Sequence, residues 1–259
     1  MNVEHSVANG AYKVRMWTQG DGRPLVYLHG YDGHPGEAPF LSTLAEHHRK
    51  VFAPEHPGFG TSTGIDLIDD VFDMTLYYRE FIESLGVGPV DIVGHSLGGM
   101  FGAEIAALCP QLVRKLVLVA PFGLWLDGTQ IPDAFVMTPG TLRRTLWHDP
   151  ESPIAQQTLY QQTGMSPQVA TVTRAMNLSA AGKFLWPIPD RGLAKRLKFI
   201  KAPTLVLMGE SDGLIPLPYG QAFAEKIAGA STASVPAAGH FVMIEQPEAF
   251  DRAVEDFLS

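Results

Sequence analysis

Short apolar-rich runs recur along the chain without the alternation of a half-exposed strand: Leu25–Leu28, Lys50–Ala53, Val90–Val93, Leu116–Val119 and Thr204–Met208. Runs of this length, rich in Val, Ile and Leu, suit parallel strands covered on both faces. Thr232–Val235 reads as a further strand. Between the runs the period changes. Ile68, Val71, Phe72, Thr75, Arg79, Ile82 and Leu85 follow helical spacing with one polar exception, and Gly86 offers a C-terminal stop. Phe250, Val254 and Phe257 repeat the pattern within Pro247–Leu258. Strands alternating with helices predict a parallel α/β sheet.

The alternation stops at Pro121 and resumes at Thr204. Residues 121–200 carry little strand signal, eight prolines and helical windows near 139–147, 153–163 and 166–178. A compact domain does not accommodate so long a structureless stretch. The expected division is a core of residues 1–120 and 201–259, with a helical cap, residues 121–200, inserted into it.

Composition narrows the class. The chain has 259 residues, within the reach of one α/β domain. At 46% hydrophobic and 18% charged it is too apolar for a disordered chain. The 27 acidic against 19 basic side chains give a net charge of −8, which argues against nucleic acid as a partner. The single cysteine, Cys109, excludes an internal disulfide and reads as a buried apolar filler. The first residues, Met1 to Ser6, show neither the basic nor the apolar region of a secretory leader. The longest strongly apolar run, Leu116–Leu126, is 11 residues, short of the about 20 that a membrane span needs. A cytoplasmic protein without a membrane span is expected, and both monomer and homodimer remain open. No Cys/His cluster has metal-ligand spacing and no G-x-G-x-x-G follows a strand, so neither metal nor cofactor is expected.

The sharpest chemical signal is Gly94-His95-Ser96-Leu97-Gly98-Gly99. It follows the apolar run Val90–Val93 and opens a segment of small and aliphatic residues that reads as helix. This is G-x-S-x-G in a strand–turn–helix setting. The turn is so tight that the serine is pushed toward positive φ, and side chains at Gly94 and Gly98 would meet the adjoining backbone. The hydroxyl is thereby raised from the sheet edge beside a helix N-terminus, which favours developing negative charge.

A serine hydroxyl needs a base. Of nine histidines, His240 stands out, in Ala237-Ala238-Gly239-His240-Phe241, after the strand-like Thr232–Val235 and before the last helix. A loop at the carboxyl end of a parallel strand is where such sheets present functional groups. An acid must then orient the imidazole. Asp212, in the loop after Leu205–Met208, is favoured over its rival Glu210. The oxyanion donors are expected to be the N–H of Leu97 and that of Tyr31, in His29-Gly30-Tyr31-Asp32-Gly33.

Taken together, His29-Gly30, Pro57-Gly58-Phe59-Gly60, the serine turn, Pro203 to Asp212 and Gly239-His240-Phe241 resemble, in order, the motifs of the α/β-hydrolase fold enzymes of the capped type, a group of esterases, lactonases and carbon–carbon bond hydrolases. The likeness covers nearly the whole chain. Two departures stand out: Glu55 where many relatives have Asp, and Tyr31-Asp32 in place of a glycine run. The resemblance implies an α/β-hydrolase fold, with a mostly parallel sheet flanked by helices, and Ser96, Asp212 and His240 as the triad. Dehalogenases and epoxide hydrolases of the fold carry aspartate where Ser96 stands.

The expected activity is carboxylester hydrolysis of a small to medium apolar or aromatic substrate through an acyl-enzyme on Ser96. C–C hydrolysis of a ring-cleavage product and lactone hydrolysis are the alternatives, and a ligand-binding receptor on the same fold is the non-enzyme reading. The aromatic and Met content of residues 121–200, with Met165 and Met176 among it, suits a small hydrophobic ligand. Phe122, Trp186 and Phe241 are the candidate pocket residues. Arg174 reads first as a solvated cation on an amphipathic helix, with a substrate carboxylate as its alternative partner. Arg143-Arg144 and the basic stretch Arg191 to Lys201 read as solvated helix faces, and His34 and Glu37 as surface residues.

Overall fold

The computed structural model describes residues 2–157 and 166–259. Eight strands form one sheet: β1 (Asn2–Val7), β2 (Tyr12–Gln19), β3 (Arg23–Leu28), β4 (Arg49–Pro54), β5 (Val90–His95), β6 (Val113–Val119), β7 (Thr204–Gly209) and β8 (Ser231–Val235). Their order is β1-β2-β4-β3-β5-β6-β7-β8. From β4 to β8 all pairings are parallel. β1 and β2 pair antiparallel with each other, and β2 antiparallel with β4. This N-terminal hairpin carries no apolar run: β1 alternates exposed and half-buried side chains, as an edge strand does.

The helices are α1 (Pro39–Glu46), α2 (Val71–Ser84), α3 (Leu97–Leu108), α4 (Pro139–Leu146), α5 (Pro153–Gln156), α6 (Pro167–Leu185), α7 (Leu193–Arg196), α8 (Pro218–Lys226), α9 (Val242–Glu245) and α10 (Pro247–Leu258). The period seen from Ile68 to Leu85 becomes α2, started by Asp70, whose carboxylate accepts from the N–H groups of Phe72 and Asp73. Gly86, at φ 66°, follows its end. α3 lies under the middle of the sheet and is buried on every side except Leu108. The early turn is plugged by Glu55: its carboxylate accepts from Thr61 N–H, and a Cβ on Gly60 would sit 2.0 Å from its Oε1.

Helices α4 to α7 lie between β6 and β7, within the stretch expected to interrupt the core. Of the window 153–163, α5 covers the start; its end and Met165 lie outside the described residues. α6 outruns its window, continuing to Leu185. Two cationic side chains of the insertion tie it to the core. Lys183 Nζ donates to the carbonyls of Ile65 and Ile68. Arg196 makes a bidentate ion pair with Glu104, a fully buried carboxylate on α3, at 2.6 and 2.5 Å. Arg196 was expected on a solvated face; its partner, 92 residues upstream, decides otherwise. Cys109 is buried and free.

Candidate active site

Ser96 stands between β5 and α3 with φ 57° and ψ −117°, a conformation that costs energy for any side chain. The neighbouring glycines show why the turn holds. A Cβ on Gly94 would lie 2.4 Å from the carbonyl oxygen of Gly98, and one on Gly98 would lie 2.2 Å from that of Leu28. The Ser96 N–H donates to Val119 C=O, and the Ser96 C=O accepts from Phe122 N–H, so the strained residue is tied to the neighbouring strand and its exit.

The three residues singled out from sequence meet. His240 Nε2 is 2.9 Å from Ser96 Oγ, and His240 Nδ1 is 2.8 Å from Asp212 Oδ2. The other carboxylate oxygen, Asp212 Oδ1, accepts from the N–H groups of Leu214 and Ile215 at 2.8 and 2.9 Å. All three residues are buried. Glu210, the rival acid, turns away and accepts from Ser234 Oγ at 2.8 Å. With Nδ1–H donated to a carboxylate, Nε2 is left as the acceptor that a serine proton needs.

The loop His29–Gly33 stands opposite. The Gly98 N–H donates to His29 C=O at 2.9 Å, which holds this loop against the start of α3. The Leu97 N–H opens the first turn of α3, where no intrahelical acceptor exists. Tyr31 follows Gly30, its ring centroid 6.5 Å from that of His240. Asn177, on α6, donates to Asp32 C=O at 2.9 Å and so brings the insertion onto this loop.

Three further histidines brace the loop, and of these only His29 falls within a motif. His29 Nδ1–H donates to Gly30 C=O, and its Nε2 accepts the N–H of His56. His56 stacks on His29 with centroids 3.6 Å apart, donates from Nε2 to His29 C=O, and meets the Tyr78 hydroxyl at Nδ1. His34 is half-buried rather than on the surface: its ring lies edge-on to His29, and Nε2–H donates to Ala53 C=O while Nδ1 accepts from Gly36 N–H. Burial pushes His56 down to about 3 and His34 to about 4, and holds His29 well below the usual range. Glu37 is exposed, as expected. Asp32 goes the other way. Burial lifts its carboxyl to about 6, against the pull of His240 and Arg174.

The candidate pocket residues fall in different places. Phe122 is buried, with its ring 6.4 Å from His240 and 5.9 Å from Tyr31. Phe241 packs between His95 and Trp147, behind His240. Trp186 is 52% exposed at the end of α6, its ring against Phe135. Met176 also turns outward. Arg174 lies one turn before Asn177 on α6, half-buried, and its field reaches Asp32. Its Nη2 is buried with no hydrogen-bond partner among the described residues. Among those residues no group of three His, Cys, Asp or Glu could hold a metal ion, and no helix is long and apolar enough to cross a membrane.

Comparison with known proteins shows the family. The model of the alpha/beta hydrolase family matches residues 25–253. The chain belongs to that family. A 2-hydroxy-6-oxo-6-(2'-aminophenyl)hexa-2,4-dienoic acid hydrolase of Metapseudomonas resinovorans is 27% identical over 266 residues, covering 99% of this chain and 91% of the relative. A 2-hydroxymuconate semialdehyde hydrolase of Pseudomonas putida is 28% identical over 281 residues, covering 99% and 94%. Among solved structures, an esterase from Exiguobacterium antarcticum superposes with a TM-score of 0.80 at 20% identity, over 100% of this chain and 99% of the other. That last likeness is one of fold alone. The α/β-hydrolase chain described here is thus similar along nearly its whole length to hydrolases named for a 2-hydroxy-6-oxo-dienoic acid and for 2-hydroxymuconate semialdehyde.

Proposed function

We propose that this α/β-hydrolase cleaves a carbon–carbon bond in a 2-hydroxy-6-oxo-dienoic acid, with Ser96 as nucleophile, His240 as base, Asp212 as its orienting acid, and residues 121–200 as a cap over them. The observation that carries the choice of substrate is Arg174, a half-buried guanidinium beside the Tyr31-Asp32 loop with one nitrogen unsatisfied. A buried donor without a partner is costly, and a substrate carboxylate would satisfy it with a charge-assisted bond. An apolar ester offers nothing to that group. Two relatives, named for an acid of this kind and for 2-hydroxymuconate semialdehyde and matching across nearly the whole chain, support the same reading over the ester that the sequence favoured.

His240 Nε2 takes the Ser96 proton while Oγ attacks the oxo carbon, and the N–H groups of Leu97 and Tyr31 receive the oxyanion. In the keto tautomer of such an acid, the carbon that departs is the end of a chain conjugated to the 2-oxo group. Its electron pair is delocalised as the C–C bond breaks, and the imidazolium returns the proton to it. Water, activated by the same imidazole, then frees the acyl group from Ser96. The rings of Phe122 and Tyr31 exclude bulk water from the step.

The test compares 2-hydroxy-6-oxo-6-phenylhexa-2,4-dienoate with p-nitrophenyl esters of rising chain length. The dienoate is expected to be turned over with a kcat/KM above that of any ester. Arg174→Gln should raise KM for the dienoate roughly tenfold or more, the worth of one charged hydrogen bond, and leave ester hydrolysis unchanged. Ser96-dependent ester hydrolysis with an inert dienoate would reinstate the ester reading.

A further inference from the structure

The serine–histidine pair is stitched to the insertion by backbone bonds that no motif records. The N–H of His240 donates to Leu146 C=O at 2.6 Å, and the N–H of Gly213 donates to Thr145 C=O at 3.0 Å. Both acceptors are at the end of α4. The loops bearing Asp212 and His240 therefore hang on one segment of the insertion. His148 Nδ1 adds a bond to Ser211 Oγ at 2.7 Å. One side chain closes this arrangement. Glu245, the last residue of α9, accepts the N–H of Gly239 on Oε1 at 2.8 Å and the N–H of His148 on Oε2 at 2.7 Å. Each carboxylate oxygen thus holds one wall of the seam, the histidine loop on one side and residues 145–148 on the other.

The approach is close. A Cβ on Gly239 would lie 2.3 Å from Leu146 carbonyl oxygen and 3.0 Å from Glu245 Oε1, so this wall admits glycine only. Burial raises the Glu245 carboxyl, while the two N–H donors favour its charged form. On its far side His240 is fixed as firmly: His95, buried in the serine turn, donates from Nε2 to His240 C=O at 2.9 Å. Both backbone polar groups and both ring nitrogens of His240 are therefore engaged.

We infer that Glu245 is a positioning residue, its carboxylate clamping the His240 loop to the Thr145–His148 segment so that the imidazole stays aligned on Ser96. The inference rests on the Ser96–His240 reading but not on the choice of substrate. A displacement of about 1 Å at a reacting pair can cost roughly 100-fold in rate. In Glu245→Gln, the amide presents a donor to one of the two N–H groups, and one wall of the seam is released.

The experiment uses a dialkyl fluorophosphate, which reads the nucleophile directly. A bond forms between Ser96 Oγ and phosphorus, the P–F bond breaks, fluoride leaves, and the serine proton passes to His240. The wild-type chain should be modified rapidly and Ser96→Ala not at all. Glu245→Gln should react between 10- and roughly 100-fold more slowly, and kcat on any substrate should fall with KM nearly unchanged. Glu245→Asp keeps the charge but, one methylene shorter, cannot reach both N–H groups, and should slow the reaction in the same way, which keeps the test open should Glu245→Gln fail to fold. Rates are compared well below each thermal midpoint. A folded Glu245→Gln or Glu245→Asp reacting at the wild-type rate would overturn the inference, since a merely structural carboxylate lowers the midpoint and leaves the rate alone. An unreactive wild-type chain would overturn the serine–histidine reading itself, and the inference with it.

Discussion

The sheet edge and the insertion contribute to the same site by different means. At the sheet edge, Ser96, Asp212 and His240 each stand at the end of a strand, and the bonds that join them are between side chains. Their neighbours are constrained by residue type: Gly94 and Gly98 because no Cβ fits, Asp212 because two N–H groups converge on it. The insertion contributes mainly through its backbone, with the carbonyls of Thr145 and Leu146 and the N–H of His148 gripping the loops. Side chains enter at Asn177, on the Asp32 carbonyl, and at Arg174. The first mode leaves a motif in the sequence and the second does not. The two regions therefore differ in how much each should tolerate change.

The largest effect should come from the sheet edge. Ser96→Ala and His240→Ala are each expected to lower kcat by at least about 10⁴-fold, because nucleophile and base act as a unit. Asp212→Asn should fall in the same class, having lost the acceptor that fixes the imidazole tautomer, whereas Glu210→Gln should be almost silent. Steady-state kinetics on the dienoate and on esters decide this. An Asp212→Asn enzyme as active as Glu210→Gln would break the contrast, because the orienting role would then lie elsewhere.

The next effect concerns the tie between the two regions. Arg196 approaches from the return of the insertion and meets Glu104 inside the core, where the carboxylate side chain is 1% exposed and the guanidinium 14%. Burial raises the Glu104 carboxyl, and Arg196 opposes it. Removing one partner of a buried pair leaves the other uncompensated, so Glu104→Gln should lower the unfolding free energy by about 3 kcal/mol. Urea unfolding followed by tryptophan emission measures it, since Trp125, Trp147 and Trp186 lie in the insertion and Trp17 in the core. A loss under about 0.5 kcal/mol would make the pair no more than a surface contact.

These differences explain what could be read from the sequence. The parallel strands were legible because burial on both faces writes continuous apolar runs, and the meeting of Ser96, Asp212 and His240 because the glycines, strand ends and chain order that bring them together are local. The β1–β2 hairpin was not, because an edge strand with one wet face shows neither an apolar run nor a helical period. Arg196 and Glu104 lie 92 residues apart, and nothing in either neighbourhood names the other. His34 looked like a surface residue because its partner is a main-chain carbonyl on β4. The Leu146 carbonyl that holds His240 could belong to any residue, so no reading of side chains would find it. Arg174 was visible as a cation on a helix; only its place beside the Tyr31-Asp32 loop, with a buried nitrogen unsatisfied, separates it from a solvated one.

The smallest effect expected of a single substitution, one histidine's share of a stability slope, separates the regions by pH. His29, His34, His56 and His95 are all in the core, and burial lowers each, His34 to about 4 and His56 to about 3. The insertion has only His148, which is exposed. An unfolded chain protonates its histidines near 6.5, so between that pH and about 4 it holds protons the folded core refuses. Stability is complete above about 6.5 and falls as the pH drops. Each such histidine contributes a slope of about 1.4 kcal/mol per pH unit. Asp32 works in the opposite sense, since its folded carboxyl, raised to about 6, keeps a proton that the unfolded chain has already lost. The net slope should therefore stay below that of four histidines, at up to about 4 kcal/mol per unit. Urea midpoints at pH 7, 6 and 5 give the slope. His34→Gln keeps a donor for Ala53 C=O and an acceptor for Gly36 N–H but cannot titrate, so it should flatten the curve by about one histidine's share. An unchanged slope in that variant would place the acid sensitivity outside the histidine brace, and would leave the core no more acid-labile than the insertion.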